Sequence, residues 1–123
     1  MIRQFGKLFV LDTLNTTYCF RVLETGQLEH LYYGAKIYID SEKEADVLAE
    51  KHAFAPGNTN IYDSNHAQFS LEDMRLEMSS YGKSDIREPF IIERHCDGGR
   101  TSDYLYSSAK ISEGKTSLNT LPS

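Results

Sequence analysis

Acidic pairs are the residues in this 123-residue chain with the most obvious chemical potential. Glu72 precedes Asp73, and Asp85 lies close to Glu88. Sugar hydrolysis needs two carboxylates held across a glycosidic bond. Both pairs lie in charged, turn-rich surroundings, which lack the burial that raises the pKa of a catalytic acid. The local sequence therefore favours solvated carboxylates over a catalytic pair.

The histidines and cysteines show no spacing typical of a reactive site. His30, His52, His66 and His95 fall on separate predicted elements without HxH, HExxH or CxxC patterns, so they are interpreted as surface residues and no metal site is expected. Cys19 lies in the middle of a predicted strand, where a nucleophile would be hidden. No GxSxG motif or glycine-rich phosphate loop is present, and no catalytic set or cofactor is predicted.

Composition narrows the possible partners. The formal net charge is −5, and no run of Lys or Arg supplies the attraction on which nucleic-acid binding depends. Nucleic acid and anionic membranes are therefore poor partners. The apolar run at residues 8–11 is too short for a signal peptide or a membrane span, which predicts a cytoplasmic protein with Cys19 and Cys96 as reduced thiols.

The first half of the chain predicts an antiparallel sheet followed by one short helix. Alternating apolar residues and turn signals predict strands at 2–5, 8–13, 17–23, 28–33 and 36–39. Residues 41–50 predict the helix, because Ser41 and Glu44 form a capping box and Ala45, Leu48 and Ala49 share one face.

The second half opens with a long connection at residues 51–68, in which Phe54 and Tyr62 suggest a loop that docks onto something. Met74, Leu76 and Met78 then alternate as in a half-buried strand, although 71, 74 and 78 also fit one face of a short helix. Extended structure is favoured.

A polar corner and a further hairpin follow. Asp85 and Arg87 are interpreted as a structural pair that ties a loop to nearby backbone. A hairpin of residues 90–96 and 101–108 is predicted around Asp97-Gly98-Gly99, and residues 118–121 begin another segment. Several short strands that must bury one face on a second layer predict a mainly all-β fold, an antiparallel β-sandwich with one short helix.

Several stretches resemble the N-terminal region of bacterial α-galactosidases of glycoside hydrolase family 36, the type that cleaves melibiose and raffinose. The similarity covers nearly the whole chain. It lies in FRVLETGQLEHLYYGAKI at 20–37, AFAPGN at 53–58, FSLED at 69–73, YGKSDIREP at 81–89 and TSDYLY at 101–106, followed by SEGK at 112–115 and the closing Leu121-Pro122.

The resemblance implies a large retaining enzyme with an N-terminal β-supersandwich, a central (β/α)8 barrel and a C-terminal β domain. Residues 1–123 would be the opening part of the β-supersandwich, and the catalytic barrel would be absent. The catalytic Asp pair belongs to the barrel, with its nucleophile in a Lys-Trp-Asp context. This chain contains no Trp, so the fragment alone is expected to be inactive.

In the family, the N-terminal region serves assembly of homotetramers, and its long loop reaches the active site of a neighbouring subunit. Residues 51–68 match that loop by position, which makes Lys51, His52 and Phe54 the substrate-binding candidates. Phe54 matches the family's aromatic residue, whereas Lys51 and His52 stand where related enzymes carry Asp and Arg. An equal alternative is that Phe54 anchors the loop at a subunit interface.

Two other classes remain open from the sequence. One is a free-standing carbohydrate-binding or scaffolding β module, and the other is a small catalytic β protein in its own right. The absence of a recognisable nucleophile and base disfavours the second.

Overall fold

The protein opens with a four-stranded antiparallel sheet. Its structure, a computed structural model, describes residues 1–49, 60–67, 69–83 and 85–114. The sheet order is β1-β2-β3-β4, so each strand pairs with its neighbours in sequence. The strands are β1 Ile2–Phe5, β2 Leu8–Asp12, β3 Thr16–Val22 and β4 Leu28–Ala35.

The alternation in β3 separates two different faces of the sheet. Thr17 and Cys19 are fully buried on one face, whereas Tyr18 and Phe20 are half-buried on the other. Between β3 and β4 the register shifts, because Cys19 pairs with Tyr32 while Phe20 pairs with His30. Leu31 is thus an extra residue in β4, and it is buried in the core.

The core lies between this sheet and α1, Glu42–Ala49. Ala45 and Ala49 pack with strand residues, and Leu48 packs at the edge of the same cluster, which confirms the predicted helix and its apolar stripe. The buried cluster consists of Leu8, Val10, Cys19, Leu31, Ile39, Ala45 and Ala49. The capping detail differs, since the Glu44 carboxylate accepts from the amide of Asp40 at 2.7 Å.

The outer edge of β4 meets the segment that follows the long loop. The His30 amide donates to the Arg75 carbonyl at 2.7 Å, and the Glu77 amide donates to Leu28 at 3.0 Å. Leu76 forms an isolated bridge with Glu29, which bears out the extended prediction at this point only. The 3₁₀-helix Leu71–Asp73 precedes it.

The predicted hairpin of residues 90–96 and 101–108 is wrong for the structure described. Its turn is present, because the His95 amide donates to Gly99 at 2.8 Å, but neither arm is a strand. A strand requires a neighbouring ladder for its backbone groups, and the described residues supply only single hydrogen bonds to these arms. For the same reason 36–39 is not a strand.

The described residues therefore contain one antiparallel sheet, one α-helix and one 3₁₀-helix, which makes the fold mainly β. The predicted segment 118–121 lies outside them. None of the helices within that described part is long and apolar enough to cross a membrane.

Candidate functional site

The substrate-binding candidates Lys51, His52 and Phe54 lie outside the described residues, so their roles stay predictions. The described portion of the same predicted loop is 60–67, and Phe69 follows that loop. These residues, the turn between β3 and β4 and the helix α1 build the site that the structure does describe.

Tyr62 docks the end of the long loop onto the rest of the domain, as predicted for an aromatic residue there. Its hydroxyl donates to Asp103 Oδ2 at 2.6 Å, and Asp103 Oδ1 accepts from Gln27 Nε2 at 2.9 Å. Burial, followed by the hydrogen bond to Asp103, raises the pKa of Tyr62. The Lys83 ammonium lies 5.4 Å from the centre of the Tyr62 ring.

A cleft of about 890 Å³ opens beside this contact, and we name it the hairpin cleft. It lies between the end of β3 with its turn, the first half of α1, and the chain around Asn65 and Phe69. The apolar side chains that line the cleft are Val22, Leu23, Ala67, Phe69 and Met74. The polar ones are Arg21, Glu24, Thr25, Glu42, Lys43, Asp46, Asn65 and His66.

Two carboxylates hold Arg21 in the lining of the cleft. Its Nε donates to Glu29 Oε2 at 2.7 Å, and its Nη1 donates to Asp46 Oδ1 at 2.9 Å. The Glu29 side chain is fully buried, whereas the Asp46 side chain is mostly exposed. A guanidinium held by both of these groups has a fixed orientation.

His66 is held by a turn that Asp63 organises. Asp63 Oδ1 accepts from the amides of Asn65 and His66 and lies 2.8 Å from His66 Nδ1. The hydrogen bond with His66 is the main reason that the pKa of Asp63 falls below its usual value. Phe69 packs edge to face against Tyr62, with ring centres 6.0 Å apart.

The polar corner is structural, as the sequence predicted, but the expectation of a solvated Asp85 carboxylate is wrong. Arg87 forms a bidentate pair with Asp85 at 2.8 and 2.7 Å and donates to the carbonyl oxygens of Leu71 and Met74. The Asp85 side chain is fully buried in this arrangement. A carboxylate bound to its own guanidinium partner is not available as a general acid.

One contact that the sequence did not predict resembles a nucleophile with its base. His95 Nε2 lies 3.1 Å from Ser102 Oγ and 3.0 Å from the carbonyl oxygen of Thr101. A carbonyl can only accept, so the Nε2 nitrogen carries the proton and cannot take one from Ser102. In a catalytic triad the acid hydrogen-bonds to the imidazole and orients it. Glu93 instead contacts Ser102, at 3.5 Å. The His95–Ser102 contact is therefore a structural hydrogen bond at a turn and not a catalytic pair.

No group of three His, Cys, Asp or Glu side chains within residues 1–49, 60–67, 69–83 and 85–114 is arranged to hold a metal ion. Cys19 is a buried thiol whose pKa is raised to about 11, chiefly by burial, and Cys96 is exposed. A thiol with a raised pKa is a poor nucleophile near neutral pH.

Fold and site together define a mainly β domain in which the described residues assemble no catalytic set. Residues 26–123 match the family model described as the glycosyl hydrolase family 36 N-terminal domain. The chain therefore belongs to this family, and the resemblance seen in the sequence is confirmed.

Curated relatives share this region with the chain. Alpha-galactosidase 1 of Pediococcus pentosaceus is 29% identical over 121 residues, which are 98% of this chain and 16% of the relative. Alpha-galactosidase Mel36A of Lactobacillus acidophilus is also 29% identical, over 95% of this chain and 15% of its own length. The bifunctional alpha-galactosidase/sucrose kinase AgaSK of Mediterraneibacter gnavus is 32% identical, with 94% and 12% covered. The chain thus spans less than a fifth of each relative.

Solved structures agree with the sequence comparison. The galactosidase domain of AgaSK superposes with a TM-score of 0.79 at 29% identity, over 100% of this chain and 17% of that one. A variant of the alpha-galactosidase AgaA from Geobacillus stearothermophilus, solved in complex with raffinose, gives 0.78 at 27% identity, with 95% and 16% covered.

Proposed function

We propose that this chain is the N-terminal, non-catalytic portion of a retaining α-galactosidase that hydrolyses terminal α-galactosides such as melibiose and raffinose. The observation that carries the proposal is the coverage. Alpha-galactosidase 1 aligns with 98% of this chain, yet the chain spans only 16% of that enzyme. A retaining hydrolase needs two carboxylates about 5 Å apart, and these belong to the proposed catalytic barrel.

The final described segment carries exposed apolar side chains, and this exposure is evidence for the proposed second layer of a β-sandwich. Ile86 is 82% exposed, Phe90 68% and Ile92 57%. A folded domain rarely leaves several large apolar side chains of one segment uncovered, because burial of apolar surface is favourable. We assign these side chains to contacts with the rest of a β-supersandwich.

The proposed role of this portion is assembly of a homo-oligomer, a tetramer in the parent enzyme, and formation of the rim of a neighbouring active site. Residues 51–68 would supply that rim, with Lys51, His52 and Phe54 nearest the α-galactoside. Docking of Tyr62 against Asp103 supports a defined position for the end of this loop. The free thiols Cys19 and Cys96 are compatible with the proposed cytoplasmic location.

Hydrolysis of a nitrophenyl α-galactoside by the full-length parent tests the proposal. Turnover is expected for the parent and not for residues 1–123 alone. Turnover of a different glycoside only would refute the assignment. A reading frame that ends at Ser123, without a downstream Lys-Trp-Asp motif, would favour a free-standing β module instead.

Phe54→Ala in the parent tests the loop. A lost stacking or rim contact in the bound ground state should raise KM about three- to tenfold with little change in kcat. Tyr38→Ala, which removes another aromatic side chain that is 84% exposed, is the matched control. Unchanged kinetics in an intact oligomer would remove Phe54 from the site, whereas dissociation of the oligomer would make it an interface anchor.

A further inference from the structure

We infer that the hairpin cleft binds a neutral saccharide. The site is separate from the carboxylate pair of the proposed hydrolase, and the side chains that line the cleft indicate its ligand class. The first line of evidence is the Arg21–Asp46 pair. Arg21 uses Nε and Nη1 for Glu29 and Asp46, and no described residue accepts a hydrogen bond from its Nη2.

A donor and an acceptor therefore lie side by side in the lining of the cleft. Arg21 Nη2 can donate to one hydroxyl group, while Asp46 Oδ2 accepts from the next. Neighbouring hydroxyls on a sugar ring present this combination, since each hydroxyl both donates and accepts. Because Glu29 holds the guanidinium, little side-chain freedom is lost when a ligand binds.

The lining residues at the end of the long loop, with Phe69 just after it, offer the same mixture of groups. Among the described residues, the Asn65 side-chain amide has no hydrogen-bond partner, and it supplies both a donor and an acceptor. His66 Nδ1 lies against the Asp63 carboxylate and so carries the proton, which leaves Nε2 as an acceptor in the neutral ring. The Phe69 ring adds an apolar surface of the kind on which a sugar's C–H face packs.

The charges of the side chains that line the cleft favour a neutral ligand over an anionic one. Two lining side chains are positive and three are negative, and the charge of Arg21 is already offset by Glu29 and Asp46. A phosphate or carboxylate would have to approach a net negative surface. The volume of about 890 Å³ falls within the range of small-molecule sites.

Raffinose binding to the parent enzyme tests the inference by equilibrium dialysis. The enzyme is saturated with 1-deoxygalactonojirimycin, a ligand that is bound to an AgaA variant in another structure. This ligand is added to block the catalytic site, so that raffinose bound there is not counted. One further raffinose site per chain is expected. Asn65→Ala and Asp46→Ala should each weaken it about three- to tenfold, the loss of one hydrogen bond.

Matched controls are Asn15→Ala and Asp40→Ala, two exposed residues of the same types outside the cleft, which should leave this binding unchanged. Inorganic phosphate should not compete. Absence of the additional site, insensitivity to both cleft variants, or tighter binding of phosphate than of raffinose would overturn the inference. A parent without α-galactosidase turnover would refute the proposed function and leave this binding result intact.

Discussion

Single side chains in this domain join parts of the chain that lie far apart in sequence. Asp103 shows this, since its carboxylate accepts from both Gln27 and Tyr62. Over a shorter distance, the Arg87 guanidinium contacts Asp85 and two carbonyl groups from the 71–74 region. A fully buried carboxylate depends on such a partner, because burial of an unpaired charge is very costly.

The two partners of this pair should respond differently to truncation. Arg87→Ala leaves the Asp85 carboxylate buried and unpaired, so we expect a loss of about 3–5 kcal/mol in the free energy of unfolding. Asp85→Ala should cost less, because the Arg87 side chain is 39% exposed and can turn to water. Urea unfolding followed by circular dichroism measures both, and exposed Glu88→Ala is the control. Equal costs, or the reverse order, would contradict this account.

Asp12 should make the domain sensitive to acid. The Thr17 hydroxyl donates to Asp12 Oδ1 at 2.7 Å, and this bond, with Arg3 at 2.8 Å, holds the pKa of Asp12 below its usual value. A lowered folded-state pKa gives stability that is present above about pH 4 and is lost as the pH falls through the folded value.

Asp12→Asn should therefore lower the thermal midpoint at pH 7 and flatten its dependence on pH below about 4. The matched control Asp40→Asn removes a carboxylate that is 85% exposed and should leave the pH profile close to that of the wild type. An unchanged acid profile in Asp12→Asn would show that other carboxylates set the acid limit.

Among the elements, the β3–β4 hairpin supports both the core and the cleft. Its turn has Gly26 at φ +99°, a region that L side chains rarely adopt, and a Cβ there would lie 3.3 Å from Leu105. Gly26→Ala should thus destabilise the domain by about 1–2 kcal/mol.

Gly98→Ala separates the cost of the positive φ from the cost of the close approach to Leu105. Gly98 has φ +85°, but nothing lies within 4 Å of the position that a Cβ would take. Both variants should lower the denaturation midpoint, and Gly26→Ala should lower it further because Leu105 must also move. Equal shifts would mean that backbone strain alone accounts for the cost.

Local signals were sufficient to predict β1 to β4 and α1, although they also predicted a strand at 36–39 that the structure does not contain. β3 alternates along its length, its turn contains Gly26, and α1 has an apolar stripe, so each element is specified by residues close in sequence. Residues 90–96 and 101–108 have strand-like composition, but whether such a segment forms a ladder depends on a neighbour that its own sequence does not encode.

The candidate sites likewise divide into those specified by residues close in sequence and those that only the fold brings together. Arg21 and Asp46 are 25 residues apart and carry no motif, so only the folded sheet and helix reveal the hairpin cleft. The Asp85–Arg87 pair was predictable because its members are only two positions apart in the sequence. Lys51, His52 and Phe54 were identified through family resemblance rather than through local chemistry.

Across the described residues, a covered core contrasts with several large apolar side chains that stay exposed. The sheet and α1 enclose the core, while Phe90, Ile92 and Leu105 are each more than half exposed. Residues 1–123 expressed alone should therefore self-associate at micromolar concentration, because association removes apolar surface from water.

Sedimentation of residues 1–123 at several concentrations checks this prediction. Phe90→Ser with Ile92→Ser should shift the population toward the monomer, whereas Tyr38→Ser with Val47→Ser, which change exposed residues elsewhere, should not. A wild-type fragment that stays monomeric throughout would contradict the assignment of these side chains to a missing partner layer.

The extra residue Leu31 in β4 also limits how homologous sequences can differ in length. Deleting one residue between Leu28 and Ala35 would remove the register shift opposite Cys19 and Phe20 and would turn the following side chains to the opposite side of the sheet. Alignment gaps among homologues should consequently collect in the turn at 24–27 and be absent from the strand beside it.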